Sequence, residues 1–155
     1  MITLATEVEV KGKTPEQIIH WFMSLDNETY KKWHPEHMAW KTIKLTPNFV
    51  GSIIYFDEKI GAFRMKLTAE IVKAEPNRFL VFKLKGFMPI QSYLSLSLQP
   101  TSSGTKVIHE VKVGNGGIFT KAVEWFLEKS GLVGWFEKAL NKHAQEEFKN
   151  LEQLI

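Results

Sequence analysis

The first ten residues alternate apolar and polar. Ile2, Leu4, Thr6, Val8 and Val10 share one side of an extended chain and Glu7, Glu9 and Lys11 the other, the period of a strand with one buried face. After Gly12 the period changes. Thr14 suits a helix N-cap, Pro15 the first helical position, and Gln17 completes a capping box, so a helix runs through Ile18, Ile19, Trp21 and Phe22. A second short helix spans Asn27 to Trp33 and stops before His34-Pro35, because a residue preceding proline avoids the helical region. From Trp40 to Val113 the period of two returns. Strands are expected near 40–45, 51–60, 62–73, 79–85, 91–99 and 105–113. The breaks fall at Pro47-Asn48, Gly61, Pro76-Asn77, Gly86 to Pro89, and Ser102-Ser103-Gly104. Beyond Gly114-Asn115-Gly116-Gly117, Ile118 to Leu154 reads as one long helical stretch, with Gly131 and Gly134 marking a kink or break.

This order predicts an α+β fold. A curved antiparallel sheet wraps around the long C-terminal helix, with two short helices after the first strand, as a single domain over residues 1–155. The rows Ile54-Phe56-Ile60, Phe63-Met65-Leu67-Ala69-Ile71, Leu80-Phe82-Leu84, Leu94-Leu96-Leu98 and Val107-Val111-Val113 face the helix; Lys59, Arg64, Lys66, Lys83 and Lys112 face away. The segment Ile118 to Leu140, with Phe119, Trp125, Phe126, Leu132, Val133, Trp135 and Phe136, is apolar enough for a lid or a membrane-touching face. Its preferred reading is the core face of the main helix.

Composition narrows the function classes. Lys and Arg exceed Asp and Glu by only 20 to 17, scattered along the chain, so no nucleic-acid partner is expected. The absence of cysteine excludes disulfides, thiolate metal sites and a cysteine nucleophile. No apolar run is long enough to span a membrane, and the N-terminus lacks a signal-peptide pattern, which makes the cytoplasm the expected compartment.

Parity then singles out residues on the wrong face. Glu58 falls in the inward row of its strand while Asp57 faces out; His109 falls in the inward row of the last strand while Glu110 faces out. On the last helix Phe136, Leu140, His143, Glu147 and Leu151 share a face, and His143 and Glu147 project together one turn apart. His34 and His37 flank a proline turn at a helix end. Taken singly each has a plain structural reading: a salt-bridged glutamate, a neutral core histidine, a solvated helical ion pair, a polar capping loop. His20, between apolar residues on the first helix, reads as structural. Taken together, His34, Glu58, His143 and Glu147 come from a loop, a strand and a helix that this fold brings to one end of one cavity. Two imidazoles and two carboxylates suit Zn²⁺, with Mn²⁺ or Fe²⁺ as substitutes.

The layout resembles the helix-grip fold of START-like (SRPBCC) and birch-pollen-allergen-like proteins over nearly the whole chain. Within it, three pieces resemble the diacetylphloroglucinol and phloretin hydrolase group: Tyr30-Lys-Lys-Trp-His34-Pro-Glu-His37, Gly51-Ser-Ile-Ile-Tyr-Phe-Asp-Glu58, and His143-Ala-Gln-Glu-Glu147. The resemblance implies a zinc enzyme that hydrolyses a carbon–carbon bond between an acyl group and a polyphenol, with His34, Glu58, His143 and Glu147 as ligands. His37 and His109 are the candidate catalytic residues, shuttling a proton or holding a phenolic hydroxyl. The family's hydrolases carry an additional N-terminal region not found in this sequence, which leaves substrate and oligomeric state open. The competing expectation is a non-enzymatic carrier of a lipid or aromatic metabolite in an apolar cavity; a polyketide cyclase-like role follows from fold analogy alone.

Overall fold

The computed structural model describes residues 1–86, 90–114 and 117–155, and of Phe119 the backbone only. In chain order the elements are β1 (Ile2–Lys11), α1 (Pro15–Met23), α2 (Asn27–Trp33), β2 (His37–Lys44), β3 (Ile53–Ile60), β4 (Phe63–Glu75), β5 (Phe79–Lys85), β6 (Ser92–Pro100), β7 (Gly104–Val113), α3 (Ile118–Lys129) and α4 (Leu132–Leu154). All neighbouring strands pair antiparallel, in one seven-stranded sheet ordered β1-β7-β6-β5-β4-β3-β2. This is the helix-grip fold, with α4 held against the sheet and α1 and α2 carrying the chain from one sheet edge to the other.

Local chemistry fixes the short helices. Thr14 and Gln17 form the expected reciprocal capping box, at 3.2 and 2.9 Å. Asp26 and Thr29 form a second box at the start of α2. The α2 helix ends at His34, whose extended backbone turns the chain into β2. That strand begins at His37, earlier than the alternation indicated, because His37 pairs directly with Glu58 before a register shift at Met38.

The apolar rows meet the C-terminal half of α4, which buries Leu140, His143, Ala144, Glu147, Phe148 and Leu151. Side chains of α4 also close the outer edge of β1. Gln145 and Lys149 donate to the carbonyls of Glu7 and Glu9, and Glu152 accepts from the Lys11 N–H. An unpaired strand edge is thereby covered.

The expected long helix is interrupted. Gly131, at φ 73°, separates α3 from α4, while Gly134 continues within α4. The reading of Ile118 to Leu140 as a core face is corrected here: Trp125 and Phe126 are 62% and 61% exposed, and Ile118, Leu132 and Trp135 are also exposed. With α3 set off at a separate angle, its apolar residues no longer continue the buried stripe of α4. The breaks at Gly86 to Pro89 and Gly114 to Gly117 lie partly outside the described residues, as does the Phe119 side chain. The β3–β4 turn seats the first turns of α4: Gly61 has φ 62°, and a Cβ there would come within 2.7 Å of the Trp135 ring.

Candidate metal centre

Three elements converge beneath α2. From β2 comes His37, from β3 its paired neighbour Glu58, and from α4 the i, i+4 pair His143 and Glu147. The His37 and His143 Nε2 atoms are 3.3 Å apart. The Glu147 Oε2 atom lies 3.2 Å from the first and 3.6 Å from the second. Glu58 Oε2 lies 3.7 and 3.8 Å from the same two nitrogens. Four donors about 2.0–2.2 Å from a zinc ion at tetrahedral angles are separated by about 3.3–3.6 Å. These five separations are therefore near the edges of a metal-sized tetrahedron.

The outer hydrogen bonds set the tautomers. His37 Nδ1 faces the Tyr30 carbonyl oxygen at 3.0 Å. A carbonyl only accepts, so Nδ1 carries the proton and Nε2 presents a lone pair. His143 Nδ1 donates to Glu36 Oε2 at 3.1 Å, which likewise turns its Nε2 lone pair inward. Tyr30 donates its hydroxyl to Glu58 Oε2 at 3.0 Å. The Trp33 indole N–H donates to the Glu147 carbonyl at 2.6 Å, holding α4 at this level. Two imidazole lone pairs and two carboxylate oxygens thus face one another, an arrangement that calls for a cation or for protons.

Electrostatics carry the same message. Burial pushes Glu58 up to about 7, and the neighbouring Glu147 carboxylate adds to it, against the opposing pull of His37 and the Tyr30 hydroxyl. Burial also pushes Glu147 up to about 7, with His143 and His34 opposing. Burial lowers His37 to about 4, so its ring is neutral at physiological pH and fit to ligate. Tyr30 is held well above its ordinary value by burial and then by Glu58.

His34 joins the cluster differently from the sequence expectation. One ring nitrogen from each of His34, His37 and His143 lies within 4.8 Å of the others. Yet His34 Nδ1 accepts the Glu36 N–H at 3.1 Å, and Nε2 then donates to Glu146 Oε2 at 3.0 Å. Both ring nitrogens are engaged, and His34 packs beside His143 with centroids 4.2 Å apart. His37, expected as a proton carrier, instead occupies the convergent position. Asp57 lies on the opposite face of β3, covered by a bidentate Arg64 at 2.9 and 2.8 Å.

His109 stands apart from the four donors. Its ring is buried near Phe148, its Nδ1 has no hydrogen-bond partner among the described residues, and burial, then the nearby His143, lowers it to about 4. It lines two small adjoining cavities of about 60 and 50 Å³, which it shares with Glu58, Phe56 and Leu140. His143 and Glu147 border the first. Two participants escaped the sequence reading. Tyr30 and Glu36 lie in the same segment as the histidines, and the signals were the i, i+3 spacing of Tyr30 with Trp33 and a carboxylate two residues from His34.

No protein-family model matches the chain, and no curated protein sequence matches it. Solved structures do. TTHA0849 of Thermus thermophilus is 16% identical with a TM-score of 0.69, over 99% of this chain and 96% of that one. Ginseng major latex-like protein 151 of Panax ginseng is 13% identical with a TM-score of 0.60, over 92% and 96%. Ara h 8.0201 is 13% identical with a TM-score of 0.57, over 91% and 95%. At these identities the likeness is one of backbone architecture, and it places the chain among proteins with the helix-grip fold.

Proposed function

We propose that this chain is a zinc-dependent hydrolase acting on the carbon–carbon bond between an acyl group and an aromatic ring, with His37, Glu58, His143 and Glu147 as the ligands. The observation that carries the reading is the convergence of two Nε2 lone pairs and two carboxylate oxygens with their protons directed elsewhere. Two nitrogens and two oxygens suit zinc, with Mn²⁺ or Fe²⁺ as substitutes. Zinc bound there supplies a Lewis acid for a carbonyl and a nucleophile from water near neutral pH.

The chain's own residues do the rest. The Tyr30 carbonyl and Glu36 orient the two imidazoles, and the Tyr30 hydroxyl orients Glu58. His34 is an outer residue that anchors Glu146. Neutral His109, which lines the cavity, holds a ring hydroxyl or carries a proton toward the ring. Water adds its oxygen to the acyl carbon, the bond to the ring breaks, and the ring carbon takes the proton, giving a carboxylic acid and an arene. The leaving ring carbon is acceptable only where ring hydroxyls allow a keto tautomer.

The inner cavities, at about 60 and 50 Å³, are smaller than the roughly 150 Å³ that takes a benzene ring. Admission of a substituted ring therefore displaces lining side chains. One observation favours the carrier reading instead: an apolar pocket of about 290 Å³ lies at the α3 end. Elemental mass spectrometry of the purified protein decides between them. One zinc per chain, lost in His143→Ala together with hydrolysis of an acylphloroglucinol, supports the enzyme. A protein that takes up no divalent metal overturns it, and co-purified lipid in that protein supports the carrier.

A further inference from the structure

The apolar pocket at the α3 end is lined by Ile2 and Leu4 of β1, Phe63, Val113, Leu127 of α3, and Leu132, Val133 and Phe136 of α4. Phe136 also lines the inner cavity that contains Glu58 and His109. The inner cavity, bordered by the donor Glu58, and the outer pocket are therefore neighbours on the two sides of Phe136. The same path is traced by β7, whose inward residues His109 and Val111 border the inner cavity and Val113 the outer pocket. At roughly 3.4 Å per residue, His109 and Val113 lie about 14 Å apart. Helix α4 traces it again, from Glu147 through Leu140 to Phe136. The described lining residues of the outer pocket are all apolar.

We propose that the outer pocket binds the alkyl tail of the molecule whose polar head sits at the His37–Glu58–His143–Glu147 cluster, so that the acyl group carries an unbranched chain. The proposal rests on the metal reading for the head and on the pocket alone for the tail. A methylene group fills roughly the space of one liquid water, about 30 Å³, so a pocket of about 290 Å³ takes on the order of eight carbons. The head enters the inner cavities only with the side-chain displacement that a ring requires, and the tail reaches the outer pocket past Phe136, the side chain that the two spaces share.

Two probe series test it. Straight-chain hydroxamic acids of two to about eighteen carbons, titrated into zinc-loaded protein, place a metal-binding head at the cluster. Straight-chain alcohols of two to ten carbons, titrated into metal-free protein, report the pocket without the metal. Affinity in both series is expected to rise about fourfold per methylene once the chain passes Phe136. In Val133→Trp, and independently in Leu127→Trp, the rise is expected to stop while zinc content and affinity for the two-carbon hydroxamate stay unchanged. Hydroxamates that bind with no dependence on chain length overturn the tail pocket and leave the metal reading intact. A rise equally steep in both tryptophan variants overturns it as well. Alcohols that show the rise in a protein unable to hold zinc overturn the metal reading and leave the pocket standing.

Discussion

From Leu140 to Leu151, α4 buries six side chains and ties itself to α2 and β1 by hydrogen bonds. From Leu132 to Ala139, and along α3, the same stretch of chain leaves Leu132, Trp135, Trp125 and Phe126 exposed and encloses the apolar pocket. The sequence is apolar at both ends, so hydrophobicity alone does not distinguish them. What differs is register. The buried half repeats its apolar residues on the face turned to the sheet, whereas α3 lies beyond the break at Gly131 and the first turns of α4 leave Leu132 and Trp135 exposed. One end brings nitrogen and oxygen atoms within 3.2–3.8 Å of one another; the other encloses an apolar pocket of about 290 Å³.

The sharpest way to break this contrast is to delete a donor. His143→Ala or Glu147→Ala is expected to lower zinc affinity by more than about 100-fold, beyond the usual cost of losing an outer partner. Trp125→Ser is expected to change it little; metal titration against a chromophoric chelator reads both. Stability follows the same division. Phe148→Ala, in the packed half, is expected to cost about 3–5 kcal/mol. Phe126→Ala, on the exposed helix, is expected to stay within about 0.5 kcal/mol, by urea denaturation of the metal-free proteins.

The donor end should also respond to pH. Without metal, Glu58 and Glu147 are raised to about 7, so at pH 6 a cation must displace their protons, while His37, lowered to about 4, is already neutral. Zinc affinity is therefore expected to rise on the order of 100-fold from pH 6 to 8 and to level off above the carboxyl values. Calorimetry in buffers of different ionisation enthalpy counts the protons released, and a flat profile would contradict the arrangement. The smallest effect tests the outer shell. Glu36→Ala removes the acceptor of His143 Nδ1 and is expected to weaken zinc about 10- to 100-fold with the fold intact, measured by the same chelator competition.

Much of the architecture was legible in alternation and capping. Thr14-Pro15 and Gln17 announced α1, and the parity of Ile54, Phe56 and Ile60 put Glu58 on the inner face. The helical spacing of Leu140, His143, Glu147 and Leu151 marked the buried stripe. The choice between His34 and His37 was not legible. Three residues apart in a turn, either ring could point inward, and the difference rests on one contact across the sheet and one inside the turn. One is the pairing of His37 with Glu58; the other is the Glu36 N–H, which occupies His34 Nδ1. The exposure of Trp125 and Phe126 was equally hidden, because an apolar helix looks the same in sequence whether it covers a core or a pocket.

The segment Tyr30 to His37 touches every corner of the donor cluster. Tyr30 holds His37 and Glu58, Trp33 holds the Glu147 backbone, Glu36 holds His143, and His37 is itself a corner. Lengthening this segment by one residue would misalign all four at once. The eight-residue span is thus one mechanical unit, whose length sets the position of all four side chains together.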